Sequence, residues 1–132
     1  MTKFDIEAIE NSNKEDFRRI SRLLLELGVP IRLRGFVLLK YAIFLKIYAD
    51  ALLIKKSLYQ LIGEVTNNIT REDISSIEGA IRHALRRALS KGKLERLNDM
   101  LGTVVVTKNA PLSALQFISI AAEIIDLRLV NL

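Results

Sequence analysis

The sequence contains no cysteine and no tryptophan, and only one histidine and two prolines among its 132 residues. The absence of cysteine excludes disulfides and thiolate metal sites, which is compatible with a reducing compartment. A single histidine also excludes a histidine metal cluster, and there is no Gly-rich phosphate loop and no clear carboxylate dyad. We therefore expect a cytoplasmic protein that is not an enzyme and holds neither a metal nor a cofactor.

Long apolar runs are missing as well. The most hydrophobic region, residues 36–54, is interrupted by Lys40, Lys46 and Asp50, so it falls short of the roughly 20 apolar residues that a membrane-spanning helix needs. The N-terminal stretch carries acidic residues and lacks the apolar core and cleavage site of a secretory signal. We predict a soluble protein with no membrane partner.

The sequence does contain enough apolar surface for one core, since half of its residues are hydrophobic. Apolar residues recur at spacings of three and four in most segments, whereas residues 103–107 alone resemble a strand and have no second run to pair with. We predict an all-α single domain, in which residues 1–13 form a loose N-terminal segment and residues 14–132 form the helical domain. About six helices are expected, near residues 14–27, 35–48, 52–65, 70–89, 94–101 and 113–129, and in the first of them we expect Arg18, Arg19 and Arg22 to face outward.

The predicted helix at residues 70–89 is the centre of this arrangement. Thr70 and Asp73 predict an N-terminal cap, and one side of the helix is apolar. The core-facing residues would be Ile74, Ile77, Ile81, Leu85 and Ala88. Two polar rows face outward, the first with Arg71, Ser75, Glu78, Arg82 and Arg86, and the second with Ser76, Gly79, His83 and Arg87. Because the polar turn at residues 66–68 joins this helix to the one before it, the pair meets the minimum for a helix-turn-helix.

Several short motifs occur in an order that is typical of a known family. They are ELGVP at 26–30, RGF at 34–36, LY at 58–59, AIRHA at 80–84, SKGKL at 90–94, LGTVV at 101–105 and QFI at 116–118. On these motifs the chain resembles the C-terminal DNA-binding effector domain of the stage-zero sporulation response regulator family. The resemblance implies an all-helical domain that places the helix carrying AIRHA in the DNA major groove and can associate through its last helix.

The resemblance also shows where this chain differs from the family. The residues before the first helix are too few for the phosphoreceiver domain that such effector domains normally follow, so we expect a stand-alone protein without phosphorylation control in cis. The family's base-reading positions before AIRHA are typically arginines flanking a glutamate, but residues 76–79 here read Ser-Ile-Glu-Gly. Because Arg can bind guanine through two hydrogen bonds and Gly has no side chain, we do not transfer the family's sequence preference to this chain.

The net charge of +5 favours an anionic partner, and its distribution is uneven. Residues 82–98 hold six basic residues and one acidic residue, whereas residues 64–78 hold four acidic residues and one basic residue. The candidate DNA-contacting residues are Ser75, Ser76, Arg82, His83, Arg86, Arg87, Lys91 and Lys93. Each also has a simpler interpretation as part of a solvated helix face, with Arg82 paired to Glu78. The acidic residues near Ser75 and Ser76 are the main argument against DNA binding.

Two functions remain open on the sequence. The first is a stand-alone, transcription-regulator-like protein that reads or tracks duplex DNA with the helix around residues 71–89. The alternative is a protein-interaction module or modulator of the same fold, which pairs with itself or with a related regulator and lacks specific DNA binding.

The last predicted helix, residues 113–129, starts with a capping pattern of Ser113 and Gln116 and is apolar over most of its circumference. Its polar stripe contains Gln116, Ser119, Glu123 and Asp126, and we expect Leu115, Ile118, Ala122, Ile125 and Leu129 to face the domain core. A second apolar side would then need its own partner. We therefore predict a homodimer whose interface contains Phe117, Ile120, Ile124 and Leu127. The alternative is a terminal helix that is buried deeply in its own domain.

Overall fold

The computed structural model describes residues 6–51 and 57–132. These residues form seven α-helices and no strand, so the predicted all-α class is confirmed. The helices are α1 (Ile6–Ser12), α2 (Lys14–Glu26), α3 (Arg34–Ala51), α4 (Leu58–Thr66), α5 (Arg71–Ser90), α6 (Arg96–Leu101) and α7 (Ala114–Asp126). The first of them lies within the segment that the sequence predicts to be loose. None of the helices in the described ranges is long and apolar enough to cross a membrane.

Helix α3 is the centre of the packing, because α2, α4, α5 and α7 all pack against it. Its residues Leu39, Ala42 and Ile43 are fully buried. Most of the surface of α3 is apolar, and a helix of this kind is expected to be buried by its neighbours. Helix α5 buries one side against α3 and α4, with Ile77 and Ile81 fully buried, so its other side remains available.

Side-chain caps fix the starts of three helices. Thr70 accepts a hydrogen bond from the Asp73 backbone N–H at 3.0 Å, and the Asp73 carboxylate accepts one from the Thr70 backbone N–H at 3.3 Å. Ser113 and Gln116 form the same reciprocal arrangement at α7. Both caps were predicted and are confirmed. A third, formed by Ser57 and Gln60, begins α4 at Leu58, whereas the predicted helix began at residue 52; residues 52–56 lie outside the described part of the chain.

Residues 104–107 belong to no helix or strand, in agreement with the predicted absence of a partner strand, and a side chain binds their backbone. The Asn98 amide oxygen accepts hydrogen bonds from the backbone N–H groups of Val105 and Val106 at 2.7 and 3.1 Å. The Asn98 amide nitrogen donates to the Val106 carbonyl at 2.8 Å. One side chain of α6 therefore replaces the neighbouring strand that would otherwise satisfy these backbone groups.

Arg19 differs from its prediction. It was expected to face outward but is only 4% exposed, and its guanidinium donates to the Ile125 carbonyl at the end of α7 at 2.9 Å. A cation is favoured at a helix C-terminus, where backbone carbonyls lack partners within the helix. Helix α7 ends at Asp126, and Arg128 has a left-handed backbone with a φ of 51°, so the predicted extension to residue 129 does not occur.

The predicted orientation of the last helix is only partly correct. Ile118, Ala122 and Ile125 are buried as expected. Phe117 and Ile124, assigned to a dimer interface, are fully buried in the chain's own core, whereas Leu115 and Leu129, assigned to the core, are about half exposed. Because the helix is apolar on nearly every side, hydrophobic spacing alone could not distinguish its inner face. Ile120 is partly buried and Leu127 is exposed. The structure therefore removes two of the four predicted interface residues from the surface and does not test the homodimer itself.

Candidate nucleic-acid interface

The helix-turn-helix consists of α4, the turn at residues 67–70 and α5. Asn67 adopts a left-handed backbone with a φ of 58°, which ends α4. The Asn68 backbone N–H then bonds to the Gly63 carbonyl at 2.7 Å. A Cβ on Gly63 would lie 2.6 Å from the Asn68 carbonyl oxygen, so the turn folds back tightly on α4 because Gly63 has no side chain. The Thr70 cap then begins α5 directly after this turn.

All eight predicted DNA-contacting residues have exposed side chains. Six of them lie on the outward rows of α5, and Lys91 follows at its C-terminus. Lys93 instead lies beside Gly28, the glycine after α2, since a Cβ built on Gly28 would be only 2.8 Å from the Lys93 Cβ. The structure therefore places most of the predicted set on one helix. Their role in DNA binding remains a prediction.

The two outward rows of α5 have different surroundings. Arg82 and Arg86 border a groove of about 380 Å³ between α5 and the start of α7, together with Tyr59 from α4 and Leu115 from α7. The second row faces the start of α3, where Arg34 donates to Ser76 Oγ at 2.8 Å. Arg34 could not be recognised as a site residue from the sequence, because it is 42 residues from its partner and lies on another helix.

Arg82 is paired with Glu78 through an Nη2–Oε1 distance of 2.6 Å, one helical turn apart. Both side chains are substantially exposed, at 58% and 41%, so the pair contributes no more than about 0.5 kcal/mol to stability. A good bidentate base contact contributes about 1 to 3 kcal/mol. Arg82 can therefore exchange Glu78 for a nucleic-acid partner without a large loss.

Tyr59, on the neighbouring helix α4, lies near this pair. Burial and the nearby Glu78 carboxylate raise the pKa of the Tyr59 phenol above its usual 10, while Arg82 acts in the opposite direction. The phenol therefore remains neutral at physiological pH. It adds no charge to a surface that already carries Glu72 and Asp73 in the first turn of α5.

Arg96, the last basic residue in the range 82–98, contacts another helix. Arg96 donates to the Glu26 backbone carbonyl at 3.0 Å and lies 3.5 Å from the Glu26 carboxylate. It joins the start of α6 to the last turn of α2, which makes it unsuitable as a tracking contact. In the described parts of the chain, no group of three or more His, Asp or Glu side chains could hold a metal ion.

One comparison with known proteins identifies the domain. Residues 20–125, which are most of the chain, match the family model described as "Sporulation initiation factor Spo0A C terminal". The matched range contains the whole helix-turn-helix and nearly all of α7. This family consists of helical DNA-binding domains of sporulation regulators rather than enzymes. The chain belongs to the Spo0A C-terminal family.

Proposed function

We propose that this domain binds duplex DNA by inserting the exposed side of α5 into the major groove, with Arg82, Arg86 and Arg87 as its principal cationic contacts. The observation that carries the proposal is the two-sided character of α5. Its inner side is core, with Ile77, Ile81 and Ala84 fully buried. Its outer side is a row of exposed polar and basic residues that no other described helix covers.

The uneven charge of α5 favours an oriented contact. The helix has Glu72 and Asp73 in its first turn and Arg87 in its last turn, followed by Lys91. Asp73 already serves the Thr70 cap, and Glu78 is held by Arg82. The C-terminal half of the helix therefore offers the stronger attraction for phosphates, whereas the N-terminal half offers mainly hydroxyl groups and one cation, Arg71. We expect phosphate contacts to dominate over base reading.

Salt dependence tests this proposal directly. If these three arginines each contact one phosphate, the slope of log affinity against log salt would be about −2.7, so affinity should fall by about 40-fold between 50 and 200 mM salt. The assay is fluorescence anisotropy with a labelled duplex of mixed sequence. Arg86→Gln should reduce the slope by about 0.9, whereas Arg18→Gln, which removes the same charge from α2, should leave it unchanged.

The acidic first half of α5 keeps the protein-interaction module as a second candidate function. Glu72 is exposed and Glu78 is partly exposed on the side that would face DNA, where like charge opposes binding. If the wild-type protein shows no binding to the mixed duplex at 50 mM salt, DNA binding by this surface is excluded. Binding without preference in a selection from random duplexes would instead establish tracking of the backbone without sequence reading.

A further inference from the structure

Gly79 occupies an unusual position in α5. It lies in the middle of a helix of 20 residues, it is exposed, and a Cβ built on it would meet no atom within 4 Å. Glycine in a helix interior is unfavourable relative to alanine because its backbone loses more entropy on folding. Packing within the domain therefore gives no reason for a glycine at this position, in contrast to Gly35 and Gly63, where a Cβ would clash.

A bare glycine on an exposed helix does allow another molecule to approach the helix backbone closely. On the same outward row, one helical turn away, is Ser76, whose hydroxyl accepts a hydrogen bond from Arg34 at 2.8 Å. The bond holds an exposed guanidinium beside α5 although Arg34 belongs to α3. A guanidinium carries five N–H donors in a plane, so a single hydroxyl leaves donors for an anion.

The position of Arg34 is fixed by its neighbour in the sequence. Gly35 packs so tightly on α5 that a Cβ there would be 2.3 Å from the Ala80 carbonyl oxygen and 2.6 Å from the Ala84 Cβ. The start of α3 therefore cannot move closer to α5, and Arg34 is carried along the edge of the exposed rows. The guanidinium is thus preorganised by a helix contact and a side-chain hydrogen bond together.

We propose that the Arg34–Ser76 pair and the bare backbone at Gly79 form a docking slot for the sugar-phosphate backbone of one DNA strand. Arg34 binds a phosphate, and Gly79 provides the space in which the adjoining sugar lies against α5. This inference deepens the proposed function and rests on it, because it assigns to DNA binding a residue of α3 and a residue without a side chain.

The experiment compares Arg34→Gln, Arg34→Lys and the control Arg18→Gln on a mixed-sequence duplex of 20 base pairs. Arg34→Gln should lower the slope of log affinity against log salt by about 0.9, as expected for one lost phosphate contact. Arg34→Lys keeps the charge and should retain the slope, and Arg18→Gln should behave as the wild type. Equal slopes for Arg34→Gln and the wild type would overturn the slot.

Gly79→Ala supplies an independent test because stability and binding should change in opposite directions. The new methyl group meets nothing in the protein, so the melting temperature should rise, by about 3 to 5 °C, while affinity for the duplex should fall at least threefold. Unchanged or increased affinity would overturn the slot. A wild-type protein that does not bind the duplex at low salt would overturn the proposed function itself, which separates the two failures.

Discussion

Replacing Gly35 by alanine should destabilise the protein because α3 and α5 cross at this residue with no room for a methyl group. The new Cβ would lie 2.3 Å from the Ala80 carbonyl oxygen and 2.6 Å from the Ala84 Cβ. The first is a backbone atom of α5 and the second is the Cβ of an alanine, so neither can rotate away. Ordinary contact begins near 3.4 Å, and the helices must therefore separate by about 1 Å in a close-packed core.

Overpacking of this kind typically costs about 1 to 3 kcal/mol. Gly35 is the second residue of α3, where the gain from replacing glycine is smaller than in a helix interior. We therefore expect Gly35→Ala to lower the free energy of unfolding by about 1 to 3 kcal/mol, and to weaken DNA binding because α5 and Arg34 are displaced relative to each other.

Urea denaturation followed by circular dichroism at 222 nm measures this change, and Gly79→Ala is the matched control. The same substitution at Gly79 meets no atom within 4 Å and should raise stability by up to about 1 kcal/mol. The same change to alanine should therefore lower stability at Gly35, which packs against α5, and raise it at Gly79, which lies on α5. Equal or greater stability of Gly35→Ala would refute the close crossing of α3 and α5.

Three further changes test other parts of the fold. Arg19→Met should lower stability by about 1.5 to 3 kcal/mol in urea denaturation, since it removes the bond to the Ile125 carbonyl, while the same change at an exposed arginine of α2 should have almost no effect. Burial and the Glu10 side chain of α1 raise the pKa of Tyr41 to about 12. The neutral phenol therefore contributes fully to the folding stability below pH 10, and this contribution is lost as the pH rises toward 12. Tyr41→Phe should reduce the resulting loss of ellipticity at alkaline pH. Ile124→Glu should unfold the domain or lower its free energy of unfolding by more than about 4 kcal/mol, whereas Leu127→Glu, at an exposed position, should remain folded. Sedimentation of the wild type and of Leu127→Glu would show whether a dimer forms through that end of α7.

The sequence predicted helix positions well where a local signal exists. Thr70 with Asp73 and Ser113 with Gln116 are reciprocal caps that depend on residues three apart, and α6 ends at residue 101 as predicted, followed by the left-handed Gly102. Ser57 with Gln60 is the same signal, but it was overlooked because the apolar stretch before it suggested an earlier helix start. Local chemistry of this kind is independent of the tertiary fold.

Three other features that escaped prediction depend on contacts between distant residues. Arg19 was expected to face outward because arginine is rarely buried, and only the end of α7 explains its position. Arg34 could not be linked to Ser76 without the packing of α3 on α5. The inner face of α7 was assigned only partly correctly, because an almost entirely apolar helix contains little directional information. Its orientation is set instead by the helices that pack against it, chiefly α3 and α2, and Phe117 and Ile124 are fully buried in this arrangement.

The residues of α5 that stabilise the fold and those that are proposed to bind DNA lie on opposite sides of the helix. The inner residues of the helix belong to the core, so a change there alters the whole fold. The outer residues make few contacts inside the domain, chiefly the Glu78–Arg82 pair and the Arg34–Ser76 bond, both of them exposed. Surface changes of this kind usually alter stability by no more than about 0.5 kcal/mol. The outer face can therefore change while the fold is retained, so Ser76 and Gly79 on this face are compatible with membership of a family of DNA-binding domains.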